Sequence, residues 1–489
     1  MTTSLCPLFG RTCAACLLFA ALGPSGWARQ PKTDLGIPQQ DDAAMQWFAD
    51  AKFGMFLHWG VYAVPATGEW SMAWGAIPID TYRKFATDQG NGIYFDAKDY
   101  DPVEWAKIAK ESGMKHMCLT ARHHEGFALF DSKHPNAWTS VQTIRRDLLA
   151  EYVKACRAAG LRVGVYYSPM SWRYPGYYDV TGTDCKKNGW RYKTDPVHKE
   201  NARLMKEEVY EQVRTLFQHY GPFDYVFWDG AWLGQQGTDA DAAFFWEPGK
   251  YRDPNNAWKV GEPYADFDAT GKPLGLMGIV RKYSPRAICS PRSGWVGDFV
   301  VDEGGATVQG PVRKDYWEKC LNLNQDTWGY NATQHLMTYE QLVRYLVDVS
   351  VRNGNLLLNF GPDRHGRIPP SHAAITRRVG NWLKVVGDSI YGTRGGPWDP
   401  VDGQYGFTCK PGKYFIHILP GYPGSELTTP AIPGEVSRCI DLNTAKDLPH
   451  SQEADGRLRI TGMDRQAHPA DTVIAITTEK DGTLTHEDR

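Results

Sequence analysis

MKHMCLTARHHEGF, residues 114 to 127, is the stretch on which the fold turns. Lys115 to Thr120 is a mostly apolar run of strand length, and Arg122, His123, His124 and Glu125 follow at once, with Gly126 behind them. Ionisable groups are costly to bury without partners, so a strand that ends in four of them must end where they are used. The same pattern recurs along the chain. Strand-like runs at 53–58, 115–120, 161–167, 225–229, 287–290 and 355–360 end respectively in His58-Trp59, the Arg-His-His-Glu group, Tyr166-Tyr167-Ser168, Trp228-Asp229, Arg292 and Asn359. In a barrel of parallel strands all carboxyl ends gather at one mouth, where active sites sit.

Helical stretches alternate with these runs. One opens at Asp101-Pro102, a cap followed by proline at the first turn, carries Val103, Ala106 and Ala109 on one face and stops at Gly113. Others cover about 147–159 and 196–219, and a later one places Leu342, Leu346 and Val349 on one stripe. Continuous apolar strands alternating with helices imply a parallel sheet. The expected fold is therefore α/β, a (β/α)8-like TIM barrel; six strands are readable, and eight is inference. Beyond Tyr391 the Gly-Gly-Pro-Trp-Asp-Pro break at 395–400 introduces short alternating runs at 413–418, 458–460 and 472–477, which read as a C-terminal antiparallel β-sandwich. The expected organisation is a catalytic domain over 29–392, a β-sandwich over 393–480 and a polar tail over 481–489.

Residues 1–28 read as an export signal, with Arg11 ahead of an apolar run and small residues around Gly26-Trp27-Ala28. That run is too short to span a bilayer, so an exported protein without membrane insertion is expected, in the periplasm, outside the cell or in a secretory pathway. A net charge of -2, from 54 basic and 56 acidic residues, offers no footprint for nucleic acid. Seven cysteines remain beyond the signal, Cys118, Cys156, Cys185, Cys289, Cys320, Cys409 and Cys439, an odd number without paired metal-ligand spacing, so most are expected to be buried thiols.

The chemical groups narrow the function. His123 and His124 are adjacent, and on an extended segment neighbouring side chains point to opposite faces, which makes them poor joint metal ligands. They suit hydrogen bonding to a polyhydroxylated ligand, since each imidazole offers a donor and an acceptor. Asp229, at the end of an apolar strand in DYVFWDG, needs a partner or a function; helix capping is the bland alternative. Glycoside hydrolysis demands a second carboxyl, about 5 to 5.5 Å away in a retaining enzyme. Glu69, Glu247, Glu262, Glu303 and Glu318 are candidates, and spacing does not choose among them.

Several long segments resemble the α-L-fucosidases of glycoside hydrolase family 29: WFADAKFGMFLHWGVYAVPATGEW (47–70), LTARHHEGFALFDSKHPNAWTS (119–140), HYGPFDYVFWDG (219–230), and WGY (328–330) with RNGNLLLNFGPDRHGRIPP (352–370). The resemblance implies a cofactor-free, retaining exo-hydrolase that releases terminal α-L-fucose from fucosylated oligosaccharides or glycoconjugates through a covalent fucosyl-enzyme. It implies Asp229 as nucleophile and Glu303, in GDFVVDEGG (297–305), as general acid/base, with a pKa raised by partial burial or by the neighbouring carboxylate. His58, Glu69, Trp70, His123, His124 and Tyr167 match residues that hold the sugar, with Tyr166 the register alternative; Trp228 is a candidate for ring stacking, and Arg292 matches an arginine ahead of the acid-bearing loop. Two departures stand. Val301-Asp302 occupies the place of a usual Thr-Pro pair, which leaves Asp302 as an alternative acid, and Phe227-Trp228 inverts the usual order before the nucleophile. The family often assembles, which leaves a homo-oligomer open. The rival readings are a sugar-binding barrel without catalysis and a metal-dependent hydrolase built on the histidine pair.

Overall fold

The computed structural model describes residues 33–34, 37–174, 196–230, 266–271, 274–291, 296–305 and 307–478. The expected signal, Cys185, Glu247, Glu262, Arg292 and the 481–489 tail lie outside the described residues. Eight parallel strands form a curled sheet: β1 Phe53–Leu57, β2 His116–Arg122, β3 Arg162–Tyr167, β4 Tyr225–Trp228, β5 Ile288–Cys289, β6 Val300–Glu303, β7 Trp317–Asn322 and β8 Asn355–Phe360. They are ordered β6-β7-β8-β1-β2-β3-β4-β5. The two ends of that path meet where the Asp298 N–H donates to Cys289 O at 2.8 Å. Side chains from all eight strands share one interior cluster, among them Phe56, Cys118, Tyr166, Phe227, Ile288, Val301, Cys320 and Leu357, and Met45 and Phe48 of the helix α1, Asp42–Ala51, close its floor.

The missed strands are β6 and β7. Trp317-Glu-Lys-Cys-Leu-Asn322 carries two charges in its centre and so lacks an apolar signature, yet Glu318 and Lys319 are both buried. Glu318 points into the barrel, where the Tyr225 hydroxyl donates to it at 2.5 Å, and burial lifts its pKa to about 8. At neutral pH it is therefore largely uncharged, which removes most of the desolvation cost. Gly54 makes room there, since a Cβ at that position would come within 2.1 Å of the His116 ring.

Helices fill the outer layer. Those labelled α2 Pro102–Glu111, α3 Leu148–Ala158, α4 Pro196–Thr215 and α5 Leu276–Tyr283 follow β1 to β4. Another, α6 Tyr339–Ser350, links β7 to β8, and α7 Pro370–Val386 follows β8. The Asp101 side chain caps α2 as its sequence predicts, accepting from Val103 N and Glu104 N, but Val103 is 66% exposed and Trp105 packs inward instead. The 304–316 connection from β6 to β7 carries no helix among its described residues.

Antiparallel strands follow from Arg394 onward: a six-stranded sheet and a three-stranded one, whose facing residues, including Phe407, Tyr414, Ile416, Leu458, Ile460 and Ile474, form a single sandwich core. The six described cysteines beyond the signal are all buried.

Lys52, just past α1, is fully buried and its Nζ has no hydrogen-bond partner. Burial first, then the Arg394 charge, lowers its pKa to about 7. Between that value and about 10.5 the unfolded chain holds a proton that the folded protein does not, so this group makes stability rise with pH across that window and depresses it below pH 7. Lys52→Met is expected to stabilise the protein at pH 7 by on the order of 2 kcal/mol. The gain should shrink as pH approaches 10, measured as the difference between mutant and parent denaturant midpoints; a gain independent of pH would rule the mechanism out.

Candidate active site

At the mouth of the barrel, Phe56, His58, Glu69, Trp70, His123, His124, Tyr166, Phe227, Asp229, Glu303 and Trp328 line one cavity of about 170 Å3. Asp229 directly follows β4. Tyr166 Oη donates to its Oδ2 at 2.6 Å, the Gly230 N–H donates to its Oδ1 at 2.7 Å, and His124 Nε2 lies 3.5 Å from Oδ2. These are the donors that a carboxylate needs when it is withdrawn from water. Burial, then the Asp229 charge, holds the Tyr166 phenol well above its usual pKa, so it stays a proton donor.

The two histidines reach the same cavity because β2 breaks its own pleat. Thr120 pairs with Tyr166 but Arg122 pairs with Tyr167, so the register shifts across Ala121. This irregularity, common beside active sites, turns Arg122 to the outer face, where its guanidinium lies 5.3 Å from the centroid of the Tyr167 ring. The strand then ends, and the alternation argument that separated His123 from His124 no longer applies. Their ring centroids are 4.1 Å apart and both line the cavity, which corrects that expectation. Gly126 completes the turn at φ +84, where a Cβ would lie 2.7 Å from Ser171 Oγ. His124 Nδ1 contacts Ser168 Oγ at 2.7 Å, which leaves Nε2 for Asp229. His123, His124 and Asp229 together are a donor set of metal-ligand dimensions, their atoms within 4.8 Å of one another.

His58 is held in one tautomer. Asn359 Nδ2 donates to Trp328 O and Asn322 Oδ1, which fixes its Oδ1 as the acceptor facing His58 Nδ1 at 2.8 Å. Nδ1 therefore carries the proton and Nε2 a lone pair. Burial, then the neighbouring His123, lowers its pKa to about 3, so the ring is neutral. Glu69 Oε2 accepts from the backbone N–H groups of Trp328 and Gly329 at 2.9 and 2.8 Å, which ties the 328–330 loop to the cavity wall.

Two expected residues lie elsewhere. Tyr167 and Trp228 belong to the outer core, with the Tyr167 hydroxyl donating to Gln212 and Trp228 packing on Phe217. The pleat decides this. Tyr166 pairs with Phe227 and both face inward, their rings stacked at 5.9 Å, while the next pair, Tyr167 and Trp228, faces out. Tyr166, the register alternative, and Phe227 thus stand where Tyr167 and Trp228 were expected. The same alternation separates Asp302 from Glu303. Lys319 Nζ binds Asp302 at 3.0 Å, away from the cavity, whereas Glu303 lines it. Glu303 is exposed at the rim, without the expected partial burial. Glu318, the remaining described candidate, lies on the floor beside Tyr225. Trp328 was not foreseen as a cavity residue, although WGY had been singled out as a motif.

This geometry can be compared with known proteins. The family model described as Alpha-L-fucosidase matches residues 30–388. The chain belongs to the α-L-fucosidase family. Among curated relatives, the α-L-fucosidase of Branchiostoma floridae is 30% identical over 409 residues, covering 79% of this chain and 81% of that one. The human plasma α-L-fucosidase is 30% identical over 393 residues, covering 76% and 75%. Among solved α-L-fucosidase structures, isoenzyme 1 from Paenibacillus thiaminolyticus superposes with a TM-score of 0.71 at 28% identity, covering 89% of this chain and 99% of that one. The Thermotoga maritima α-fucosidase in complex with fucose gives 0.64 at 25% identity, covering 88% and 96%.

Proposed function

We propose that the protein is a retaining, exo-acting α-L-fucosidase in which Asp229 is the nucleophile and Glu303 the general acid/base. The observation that carries this reading is that both carboxyls line one small cavity, at the carboxyl ends of β4 and β6, with neutral and charged hydrogen-bonding groups around them. Glu69 shares the cavity, but one of its oxygens already accepts two backbone N–H groups, which fixes the side chain against the cavity wall and suits it to holding sugar hydroxyls. Glu303 stands at the rim, on the side from which a leaving group departs.

In the first step one oxygen of Asp229 bonds to the anomeric carbon, the glycosidic C–O bond breaks, and the departing oxygen takes the proton of Glu303. In the second, water attacks the anomeric carbon and gives its proton to Glu303 while the ester C–O bond breaks. The His58 Nε2 lone pair accepts from a sugar hydroxyl, and the Tyr166 hydroxyl holds Asp229 in line. Trp70 and Trp328 offer apolar walls to the ring. Arg292 keeps its proposed place ahead of the acid-bearing loop on sequence grounds alone.

Release of free L-fucose from an aryl α-L-fucoside and from fucosylated oligosaccharides, with the α-anomer formed first by NMR, is the expected result; β-fucose as first product would overturn the retaining assignment. Exhaustive dialysis against EDTA is expected to leave the rate unchanged. Loss of activity restored by a divalent cation would instead favour a metal-dependent hydrolase using His123, His124 and Asp229. Export of the protein is part of this reading, supported by residues 1–28 and by relatives named plasma α-L-fucosidases in rat and human. No helix among the described residues is long and apolar enough to cross a membrane.

A further inference from the structure

The 170 Å3 cavity is below the ~300–1,000 Å3 of pockets that enclose a drug-sized molecule, so it suits one sugar ring. Beside it opens a cleft of about 580 Å3 that shares Glu303 and Trp328 with the cavity. Its further lining includes Asn322, Gln325, Met337 and Tyr345. The cleft exists because the 304–316 connection places no described helix over β6 and β7. A Cβ on Gly304 would meet nothing within 4 Å, so that wall stands open.

Both walls are pinned without a ligand. Lys319 Nζ binds Asp302 and Gly304 O on one side. On the other, Gln325 N donates to His335 O at 3.0 Å and Met337 N to Leu323 O at 2.9 Å. A preformed cleft loses little conformational entropy on binding. Apart from Glu303, every lining side chain among the described residues is uncharged, with two amides and a phenol for hydroxyl groups and the Trp328 indole and Met337 thioether for an apolar sugar face.

We propose that this cleft receives the leaving saccharide of a neutral fucosylated oligosaccharide, with Gln325 and Tyr345 as specificity-determining residues. The proposal rests on the α-L-fucosidase reading and extends it. The glycosidic oxygen departs beside Glu303, so the sugar attached to it lies across Glu303 from the cavity, and among the described cavities the cleft is the one that borders Glu303 there. The absence of lysine or arginine from its described lining selects against sialylated or sulfated chains, whose anions would be desolvated unpaired.

The test compares kcat/KM for 2′- and 3-fucosyllactose with that for 4-nitrophenyl α-L-fucoside, whose leaving group needs little of the cleft. Gln325→Trp, which fills it, is expected to lower the oligosaccharide-to-aryl ratio at least tenfold, and Tyr345→Phe roughly fivefold, the loss of about one hydrogen bond. Equal losses on both substrate types, or an unchanged ratio in both variants, would overturn the proposal. Calorimetric titration with lactose separates the two readings. Lactose binding to the parent that Gln325→Trp abolishes supports the cleft even if no fucoside is cleaved, in which case the catalytic reading fails alone; hydrolysis of the fucosyllactoses without lactose binding sinks the cleft alone, and absence of both sinks it too.

Discussion

Asp229→Gly is expected to lower kcat for an aryl α-L-fucoside by at least ~10^4-fold, because removing a nucleophile removes the covalent route itself. The change should leave the fold intact. Asp229 sits beyond the last residue of β4, and its backbone N–H donates to Tyr167 O whatever side chain it bears. Deleting the carboxymethyl group leaves space between Tyr166, His124 and the anomeric carbon of a bound fucoside. Azide entering that space restores part of the activity and yields a β-fucosyl azide, the opposite anomer to that of the parent's product. Full activity in the variant would end the assignment. Loss of activity with no rescue and no fucosyl azide would reduce Asp229 to a structural carboxylate held by Tyr166.

The second large effect is expected at Glu303. With Glu303→Ala, kcat/KM on a fucosylated oligosaccharide falls by ~10^2–10^4-fold, the usual contribution of a positioned general acid. An aryl fucoside with a 4-nitrophenolate leaving group, which departs without a proton, loses far less in its first step and accumulates the fucosyl-enzyme as a burst. The limb of the pH profile that belongs to the acid disappears. The comparison with Asp302→Ala discriminates between neighbours: Asp302 binds Lys319 on the far face of β6, so its loss is expected to affect stability and to leave the contrast between leaving groups unchanged. A leaving-group-dependent loss in Asp302→Ala and none in Glu303→Ala would reverse the two roles.

Much of the barrel is legible in the chain because six of its strands are mostly apolar and end in polar groups, the pattern expected of parallel strands buried on both faces. The two strands that escape notice carry charges within their length, and in β7 both are buried. In β7, Glu318 is tolerated because Tyr225 donates to it and burial leaves it largely neutral, while Lys319 finds Asp302 on the adjacent strand. Neither compensation is local, so no window of sequence reveals it.

By itself the sequence determined which groups are available: a carboxylate after β4, a glutamate at the end of β6, histidines after β1 and β2, and a glutamate in the loop that follows β1. The tertiary structure alone decided which of two neighbours faces the cavity. Tyr166 over Tyr167, Phe227 over Trp228 and Glu303 over Asp302 are all settled by the phase of a two-residue pleat, which depends on pairing with strands 40 or more residues away in most cases. His123 and His124 share the cavity because β2 shifts register against β3 and then ends. A one-residue change of phase exchanges inside for outside, and residue order alone does not carry that phase.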